Sequence, residues 1–207
     1  MALNATDYDL AYWQTRYENR TGGFEWYTSV GGGEDACAGA LVAALPPGTA
    51  RSVRVLDLGC GTSNAPFLLA SLGYDVVGCD YSPAAVSLCT ARAVALDAPP
   101  SFSLENAVQL SFPDASFHAV LDKATLDSLD CRGDTPAVLA ELSRVLRPGG
   151  LLCTVSCRPI EERSEKLAAA GFVLVGEVTE VWAEKGAPCS TYWFALFASA
   201  GGGQAKG

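Results

Sequence analysis

A strand, a tight glycine turn and a helix follow one another between residues 53 and 72, and this stretch constrains the fold most. The apolar run that begins at Val53 is rich in β-branched residues, which is typical of a buried strand. Gly59 and Gly61 follow it, and Pro66 then precedes an apolar series with helical spacing. Glycine is needed where the backbone turns sharply and a ligand lies against it. We therefore predict a β–turn–α unit with a ligand site at the turn.

A second strand, over residues 74–79, places Asp80 at its carboxyl end. In open α/β sheets, an acidic residue in this position beside a glycine turn binds the two ribose hydroxyls of a nucleoside. A dinucleotide fingerprint would need a third glycine where this chain has Asn64, and no Gly-Lys-Ser/Thr follows the turn as in a Walker loop. We predict a ligand that contains a nucleoside. The alternative is a turn that only packs the helix against the strand.

Strands alternate with helices along most of the chain, and this alternation predicts a doubly wound, mostly parallel α/β sheet. The end departs from the pattern, because residues 173–182 and 192–198 form two strands with only a loop between them. Such a pair is an antiparallel hairpin. We predict a Rossmann-like sheet of seven strands that ends in this hairpin. The other five strands are expected near residues 53–58, 74–79, 101–104, 117–121 and 151–156.

The N-terminal segment, residues 1–33, is unusually aromatic. Trp13 and Tyr17 fall on one face of a predicted helix. This helix either seals a sheet edge or forms a lid over a cationic ligand, because aromatic faces attract cations, and the two roles are compatible. The predicted organisation is a lid segment over residues 1–33, one domain over 34–198 and a flexible Gly-rich tail over 199–207.

Composition excludes several classes of function. The formal net charge is −9 and no basic face is visible in the sequence, which disfavours nucleic acid as a partner, and no apolar run reaches the length of about 20 residues that spans a membrane. The N-terminus lacks the features of a signal peptide, so we expect a cytoplasmic protein. The acidity favours a basic protein partner or serves only solubility. We expect a monomer that binds neither nucleic acid nor membrane.

The chain has eight cysteines but no Cys-x-x-Cys pair. This spacing supports neither a zinc site nor a disulfide scaffold, so we expect reduced thiols in the core and no bound metal. The single histidine, His118, falls on a predicted strand, where a structural role is expected. Chemistry based on a histidine triad is therefore disfavoured.

Several motifs together resemble one group of class I S-adenosylmethionine-dependent methyltransferases. Its members include lysine methyltransferases that act on translation elongation factor 1-alpha and on citrate synthase. The glycine turn and the Arg-Pro-Gly-Gly segment are shared by many class I enzymes, whereas the aromatic and Asp-Lys-x-Thr-Leu-Asp motifs are more specific. The resemblance spans about residues 12–198 and rests on Tyr12-Trp13-x-x-Arg16-Tyr17, Phe24-Glu25-Trp26-Tyr27, Asp57-x-Gly59-x-Gly61, Asp122-Lys123-x-Thr125-Leu126-Asp127 and Leu146-Arg147-Pro148-Gly149-Gly150.

The resemblance implies S-adenosylmethionine as the cofactor and assigns contacts to it. The turn glycines would approach its methionine part, Asp57 its ammonium group and Asp80 its ribose hydroxyls. The aromatic pair on the N-terminal helix would close over it. Asn106 stands where relatives carry Asp at the adenine edge, so this contact would lack charge. The full implied cofactor set is Trp13, Tyr17, Gly59, Gly61, Asp80, Tyr81, Asn106, Ala107 and Lys123.

Methyl transfer to an amine needs little side-chain chemistry, because positioning in a desolvated site supplies most of the rate. A lysine acceptor has a pKa of ~10.4 and must first lose a proton. Asp122 or Asp127, in the loop expected over residues 122–127 after the fourth strand, is the candidate catalytic carboxylate that binds the ammonium and passes its proton to water. The alternative roles for both are helix capping and a salt bridge with Lys123.

Four hypotheses remain open from the sequence. The first is a protein-lysine methyltransferase, whose partner is a protein substrate with an exposed lysine. The second is a small-molecule methyltransferase, and the third is a catalytically silent S-adenosylmethionine-binding partner subunit. The fourth, an NAD-dependent oxidoreductase, is disfavoured by Asn64 and by the closing hairpin.

Overall fold

The computed structural model describes residues 9–18, 36–45, 50–182 and 191–200, and its centre is one mixed β-sheet. The strands run in the order β3-β2-β1-β4-β5-β8-β6, and β7 also pairs with β8. Their bounds are β1 Arg54–Leu58, β2 Asp75–Asp80, β3 Ser101–Leu104, β4 Phe117–Lys123, β5 Leu146–Ser156, β6 Phe172–Leu174, β7 Thr179–Trp182 and β8 Thr191–Ser199.

The first five strands are parallel to one another. Strand β8 is antiparallel to its neighbours and lies between β5 on one side and β6 and β7 on the other. Because β6 and β7 pair with successive parts of β8, they share one edge position, and the sheet has seven positions. The predicted class I methyltransferase fold is therefore confirmed. The single strand predicted over residues 173–182 is interrupted instead. The break includes Gly176, whose φ of +85° does not fit a strand.

Helices cover both faces of the sheet. Their bounds are α1 Leu10–Glu18, α2 Ala36–Ala44, α3 Ala65–Ser71, α4 Pro83–Ala93, α5 Thr125–Asp130, α6 Thr135–Val145 and α7 Glu161–Ala169. Successive strand residues point to opposite faces, so β1 contributes to two cores. Leu56 and Leu58 belong to one apolar cluster, and Val55 to the other. Among the described residues, no helix has the length and apolar character of a membrane span.

The segment after the fourth strand differs from the predicted loop over residues 122–127. Strand β4 continues to Lys123, and α5 begins at Thr125. The link is Ala124, in the left-handed region with a φ of +65°. A single residue thus links the strand to the helix. The other residues of the Asp-Lys-x-Thr-Leu-Asp motif lie in regular secondary structure, either in β4 or in α5.

Strand β5 is also longer than the predicted range of 151–156, because it begins at Leu146. Its register against β4 shifts between Phe117, which pairs with Leu146, and Ala119, which pairs with Leu151. The Arg-Pro-Gly-Gly segment therefore lies within an irregular start of the strand.

Candidate functional site

The glycine turn and Asp80 are tied together at the carboxyl ends of β1 and β2. Asp80 Oδ2 accepts a hydrogen bond from the Gly61 amide at 2.9 Å, and Oδ1 accepts one from the Ser82 amide at 2.8 Å. The carboxyl is 6% exposed, and burial raises its pKa against the lowering effect of these amides. Each carboxylate oxygen has a second lone pair. Asp80 thus fixes the turn while retaining acceptor capacity for ligand hydroxyls.

The β4–α5 junction lies directly against the same turn, because β4 is the other neighbour of β1 in the sheet. Lys123 Nζ donates to Ser63 Oγ at 2.7 Å. Thr125 Oγ1 donates to the Leu58 carbonyl at 2.8 Å, and a Cβ on Gly59 would collide with the Thr125 side chain. Gly59 is therefore required for the approach of α5, and the more specific sequence motif is part of the site.

Helix α1 covers the other side of the turn. The rings of Trp13 and Tyr17 are buried and stacked, with centroids 5.9 Å apart, and they pack on Ala85 at the start of α4. Tyr17 lies against Gly61, where a Cβ would collide with the Tyr17 hydroxyl. Burial, and then the charge of Asp80, raises the pKa of Tyr17, so its hydroxyl stays protonated.

A polar contact also holds α1 in place. Gln14 Oε1 accepts hydrogen bonds from Ser82 Oγ at 2.7 Å and from the Ala84 amide at 3.3 Å. Ser82 is the N-cap of α4 and accepts from the Ala85 amide. The side chain of Gln14 therefore joins the lid helix to the helix that follows Asp80. The sequence offered no signal for this contact, which joins residues almost 70 positions apart.

The residues expected at the adenine follow the carboxyl ends of β2 and β3, which are neighbouring strands of the sheet. Tyr81 follows Asp80, and its pKa is raised to about 12 by burial and by the Asp80 charge. The Glu105 amide donates to the Asp80 carbonyl at 3.0 Å, which brings the end of β3 beside it. Asn106 is exposed, and its Oδ1 accepts from the Val108 amide at 3.2 Å. Ala107 is half-buried next to it.

The candidate catalytic carboxylate Asp122 is fully buried at the end of β4. Its Oδ1 accepts from the Leu126 amide at 3.0 Å, and its Oδ2 accepts from Thr154 Oγ1 at 2.6 Å. Burial raises its pKa to about 6. These contacts join β4 to β5 and to an amide in the first turn of α5.

The second candidate, Asp127, is 6% exposed and lies in a buried ion-pair cluster. Its Oδ1 accepts from Ser156 Oγ at 2.6 Å and from Arg163 Nη2 at 2.7 Å, and its Oδ2 accepts from the Cys157 amide at 2.8 Å. Arg163, which is 3% exposed, also pairs with Asp130 at 2.7 Å. Nothing in the sequence of α7 distinguishes Arg163 from a surface arginine, so its place in this cluster could not be predicted.

The predicted site residues fall into two groups. The cofactor set lies around the turn, along the β2–β3 edge and in α1, whereas the two carboxylates face inward between β4, β5 and α7. Within the described part of the chain, no group of three His, Cys, Asp or Glu residues is arranged for a metal. The described cysteines form no disulfide bond with one another; they lie at positions 60, 79, 89, 131, 153 and 157.

Comparison with known proteins agrees with this geometry. Residues 56–154 match a family profile described as a methyltransferase domain. The EEF1A lysine methyltransferase 4 of Bos taurus is 30% identical over 181 residues, which cover 79% of this chain and 67% of that protein. The eEF1A lysine and N-terminal methyltransferase of Bos taurus is 33% identical over 153 residues, or 70% of this chain and 21% of that protein.

A relative with a different named activity matches a shorter part of the chain. The 2-methyl-6-phytyl-1,4-hydroquinone methyltransferase of Synechocystis is 34% identical over 124 residues, which are 59% of this chain and 36% of that protein. The chain spans only about a fifth to three fifths of the length of several of the curated relatives that it matches.

Solved structures show the same fold at low identity. The cyclase SpnF has a TM-score of 0.72 and 20% identity over 98% of both chains. The magnesium protoporphyrin IX methyltransferase of Synechocystis, solved with bound S-adenosylmethionine, has a TM-score of 0.63 and 20% identity, over 79% of this chain and 76% of that one.

The sheet order, the closing antiparallel strand and the glycine turn with its acidic partner define a class I methyltransferase fold. The chain belongs to the S-adenosylmethionine-dependent methyltransferases. The predicted family and fold class are confirmed, and S-adenosylmethionine is the cofactor that the family uses.

Proposed function

We propose that the protein transfers a methyl group from S-adenosylmethionine to the side chain of a lysine on a protein substrate. The observation that carries this proposal is the position of the Asp-Lys-x-Thr-Leu-Asp motif, which packs on the glycine turn through Lys123 and Thr125. This motif resembles the lysine methyltransferases, and two relatives that match 70% and 79% of the chain are named as eEF1A lysine methyltransferases.

The cofactor contacts follow from the geometry of the turn. Asp80 receives the ribose hydroxyls on its second lone pairs. Tyr81, Asn106 and Ala107 lie along the β2–β3 edge and receive the adenine. The backbone at Gly59 and Gly61 contacts the methionine part, with Asp57, 1% exposed, behind it.

The lid and Lys123 complete the proposed cofactor site. The Lys123 ammonium, beside Ser63, suits the carboxylate of the cofactor. Trp13 and Tyr17 close over the sulfonium side, where aromatic faces favour positive charge.

The reaction forms one N–C bond and breaks one S–C bond. The neutral lysine amine attacks the methyl carbon in line with the sulfonium sulfur, and S-adenosylhomocysteine leaves. The proton of the lysine ammonium passes to water before the attack, because only the neutral amine has a lone pair to donate. The residues described above bind the cofactor, orient it toward the lysine amine and exclude water from the site, and catalysis by positioning requires these contributions.

The catalytic role of Asp122 or Asp127 stays a prediction. Both carboxylates already accept hydrogen bonds from within the protein, so a structural role is the competing explanation. Asp122→Asn separates the two, because Asn retains the acceptor for the Leu126 amide but cannot take a proton. A loss of roughly 100-fold or more in kcat with unchanged S-adenosylhomocysteine binding supports proton transfer. A loss below tenfold supports the structural role.

A small-molecule acceptor is the second candidate, and the hydroquinone methyltransferase relative supports it. The fold alone does not distinguish a protein acceptor from a small-molecule acceptor, since even the structural neighbour SpnF, which has the same fold, is named as a cyclase. A site for a small acceptor would enclose most of its surface.

The test is to incubate the protein with cofactor labelled on the methyl group and a cytosolic extract. The protein and small-molecule fractions are separated, and modified residues are mapped by mass spectrometry. Label on lysine, with elongation factor 1-alpha as the first protein to examine, supports the proposal. Label confined to small molecules supports the second candidate. If S-adenosylhomocysteine binds but no fraction is labelled, the silent partner subunit is favoured. Asp80→Ala is the control variant, because it removes the proposed ribose contact.

A further inference from the structure

Two thiols lie together beneath the glycine turn. Cys60 is the middle residue of the turn, and Cys89 lies on α4. Both donate to the carbonyl oxygen of Gly61, Cys89 Sγ at 3.2 Å and Cys60 Sγ at 3.6 Å. They therefore converge on one atom of the backbone segment that Asp80 holds through the Gly61 amide.

The two thiols differ in chemical character. The interaction between the two thiols raises the pKa of Cys60 and lowers the pKa of Cys89. Arg92 lowers the pKa of Cys89 further, against the opposing effect of burial. Its guanidinium is fixed beside the turn by bonds to the Thr62 carbonyl at 2.8 Å and to Asn64 Oδ1 at 2.7 Å. The thiolate is the reactive form, so Cys89 is the nucleophile and Cys60 is the resolving thiol.

We propose that Cys60 and Cys89 form a modification site, at which hydrogen peroxide closes a disulfide bond beneath the glycine turn. The Cys89 thiolate attacks one peroxide oxygen, the O–O bond breaks, and a sulfenic acid and hydroxide form. The Cys60 sulfur then attacks the sulfenic sulfur, and its proton and the leaving hydroxyl depart as water. Overall, two thiols lose two electrons to one peroxide, which yields two waters.

The disulfide changes the turn itself. An S–S bond of about 2.0 Å is much shorter than the contact between two thiols, so closing it draws α4 and the turn together. The Gly61 carbonyl loses both thiol donors, and the Gly61 amide shifts relative to Asp80. We expect the oxidised protein to bind S-adenosylhomocysteine at least tenfold more weakly than the reduced protein.

Access to the thiols passes through the lid. Cys89 is fully buried and Cys60 is 4% exposed, so peroxide must enter when the chain opens. Tyr17 covers Gly61, and a nine-residue helix such as α1 is marginal without its contacts. We therefore expect oxidation to be slowed by bound S-adenosylhomocysteine and accelerated in Gln14→Met, which loses the acceptor that fixes α1.

The disulfide bond itself is located by mass spectrometry, independently of any activity. The reduced full-length protein is treated with hydrogen peroxide, blocked with N-ethylmaleimide under denaturing conditions, and cut before aspartate. This cleavage separates the three relevant cysteines, because Asp75 lies between Cys60 and Cys79, and Asp80 precedes Cys89. A dominant cross-link between residues 57–74 and 80–96 supports the proposal. Its absence, or links shared equally with Cys79, overturns it.

Binding measurements test whether oxidation weakens S-adenosylhomocysteine binding, with matched variants that are each compared with their own reduced form. Cys89→Ala should abolish the effect of peroxide on S-adenosylhomocysteine binding. Cys79→Ala should preserve it, because Cys79 is buried on β2 and burial raises the pKa of its thiol. Wild-type binding should return with dithiothreitol. Persistence of the effect in Cys89→Ala overturns the proposal, as does irreversible loss. If the reduced protein does not bind S-adenosylhomocysteine, the proposed function fails while the mass map still decides the link.

Discussion

Tyr17 lies against Gly61, so helix α1 and the glycine turn are in direct contact. Any Cβ at Gly61 would collide with the Tyr17 hydroxyl, and the φ of Gly61 is +51°, which L side chains rarely adopt. The absence of a side chain at Gly61 thus permits both this backbone conformation and the close packing of α1 against the turn. The first prediction separates these two contributions.

Gly61→Ala should weaken S-adenosylhomocysteine binding by at least tenfold, because it both strains the turn and displaces Tyr17. Gly133→Ala is the matched control, since Gly133 has a φ of +79° with no atom within 4 Å of an added Cβ. Both variants should lose about 1–3 kcal/mol of unfolding free energy from backbone strain, measured in urea. Equal binding by the two variants would show that Tyr17 does not contribute to the cofactor site.

Gln14→Met should detach α1 and weaken S-adenosylhomocysteine binding about tenfold, because two hydrogen bonds of ~0.5–1.5 kcal/mol each are lost. Isothermal calorimetry measures the change. Leu10→Ala, on the same helix at a side chain 45% exposed, is the control and should bind normally. Normal binding by Gln14→Met would show that α1 is only a structural cover.

The strand–turn–helix unit and Asp80 could be predicted because their signals are local. Glycines follow an apolar strand, and an acid ends the next strand at a fixed distance. The family resemblance supplied the role of Lys123, which composition and periodicity do not indicate.

The buried network around α5 could not be predicted in the same way. Arg163 reaches Asp127 across 36 residues, and only the tertiary contact between α7 and α5 brings them together. The expected loop over residues 122–127 was wrong for a related reason. The start of α5 depends on Ala124 in the left-handed region, which is a conformation that sequence patterns associate with glycine or asparagine.

Arg163→Met should lower the unfolding free energy by about 3–5 kcal/mol, because it leaves the buried carboxylate of Asp127 without its cation and removes one of the two cations that pair with Asp130. Lys166→Met is the matched control. Lys166 also pairs with Asp130, but its side chain is 46% exposed, so a loss below about 1 kcal/mol is expected. Urea unfolding at pH 7 measures both. Similar losses for the two variants would contradict a central role for Arg163.

Asp122 should make the stability of the protein depend on pH. Its pKa rises on folding from a usual 3.8 to about 6, so the folded state binds the proton more tightly. Its contribution is fully present below pH 3.8 and is lost as the pH rises through about 6. A shift of this size corresponds to about 3 kcal/mol.

Asp122→Asn removes this titration, so its stability relative to the wild type should increase between pH 4.5 and pH 7.5, a range chosen to span roughly the shifted pKa. Chemical denaturation at several pH values measures the difference. A constant difference across this range would show that Asp122 titrates normally in the folded protein.

The net charge of −9 leads to a prediction about the substrate. A protein acceptor with a basic patch around its lysine is attracted to an acidic enzyme, and added salt screens this attraction with a Debye length of ~8–10 Å near physiological ionic strength. The rate of methylation at low substrate concentration should therefore fall severalfold between roughly 50 and 300 mM salt, while kcat at saturation changes little. S-adenosylhomocysteine affinity measured over the same range is the control, and it separates screening of the substrate from screening of the cofactor site. A rate of labelling that does not change with salt, with cofactor binding also unchanged, would instead favour a neutral small-molecule acceptor.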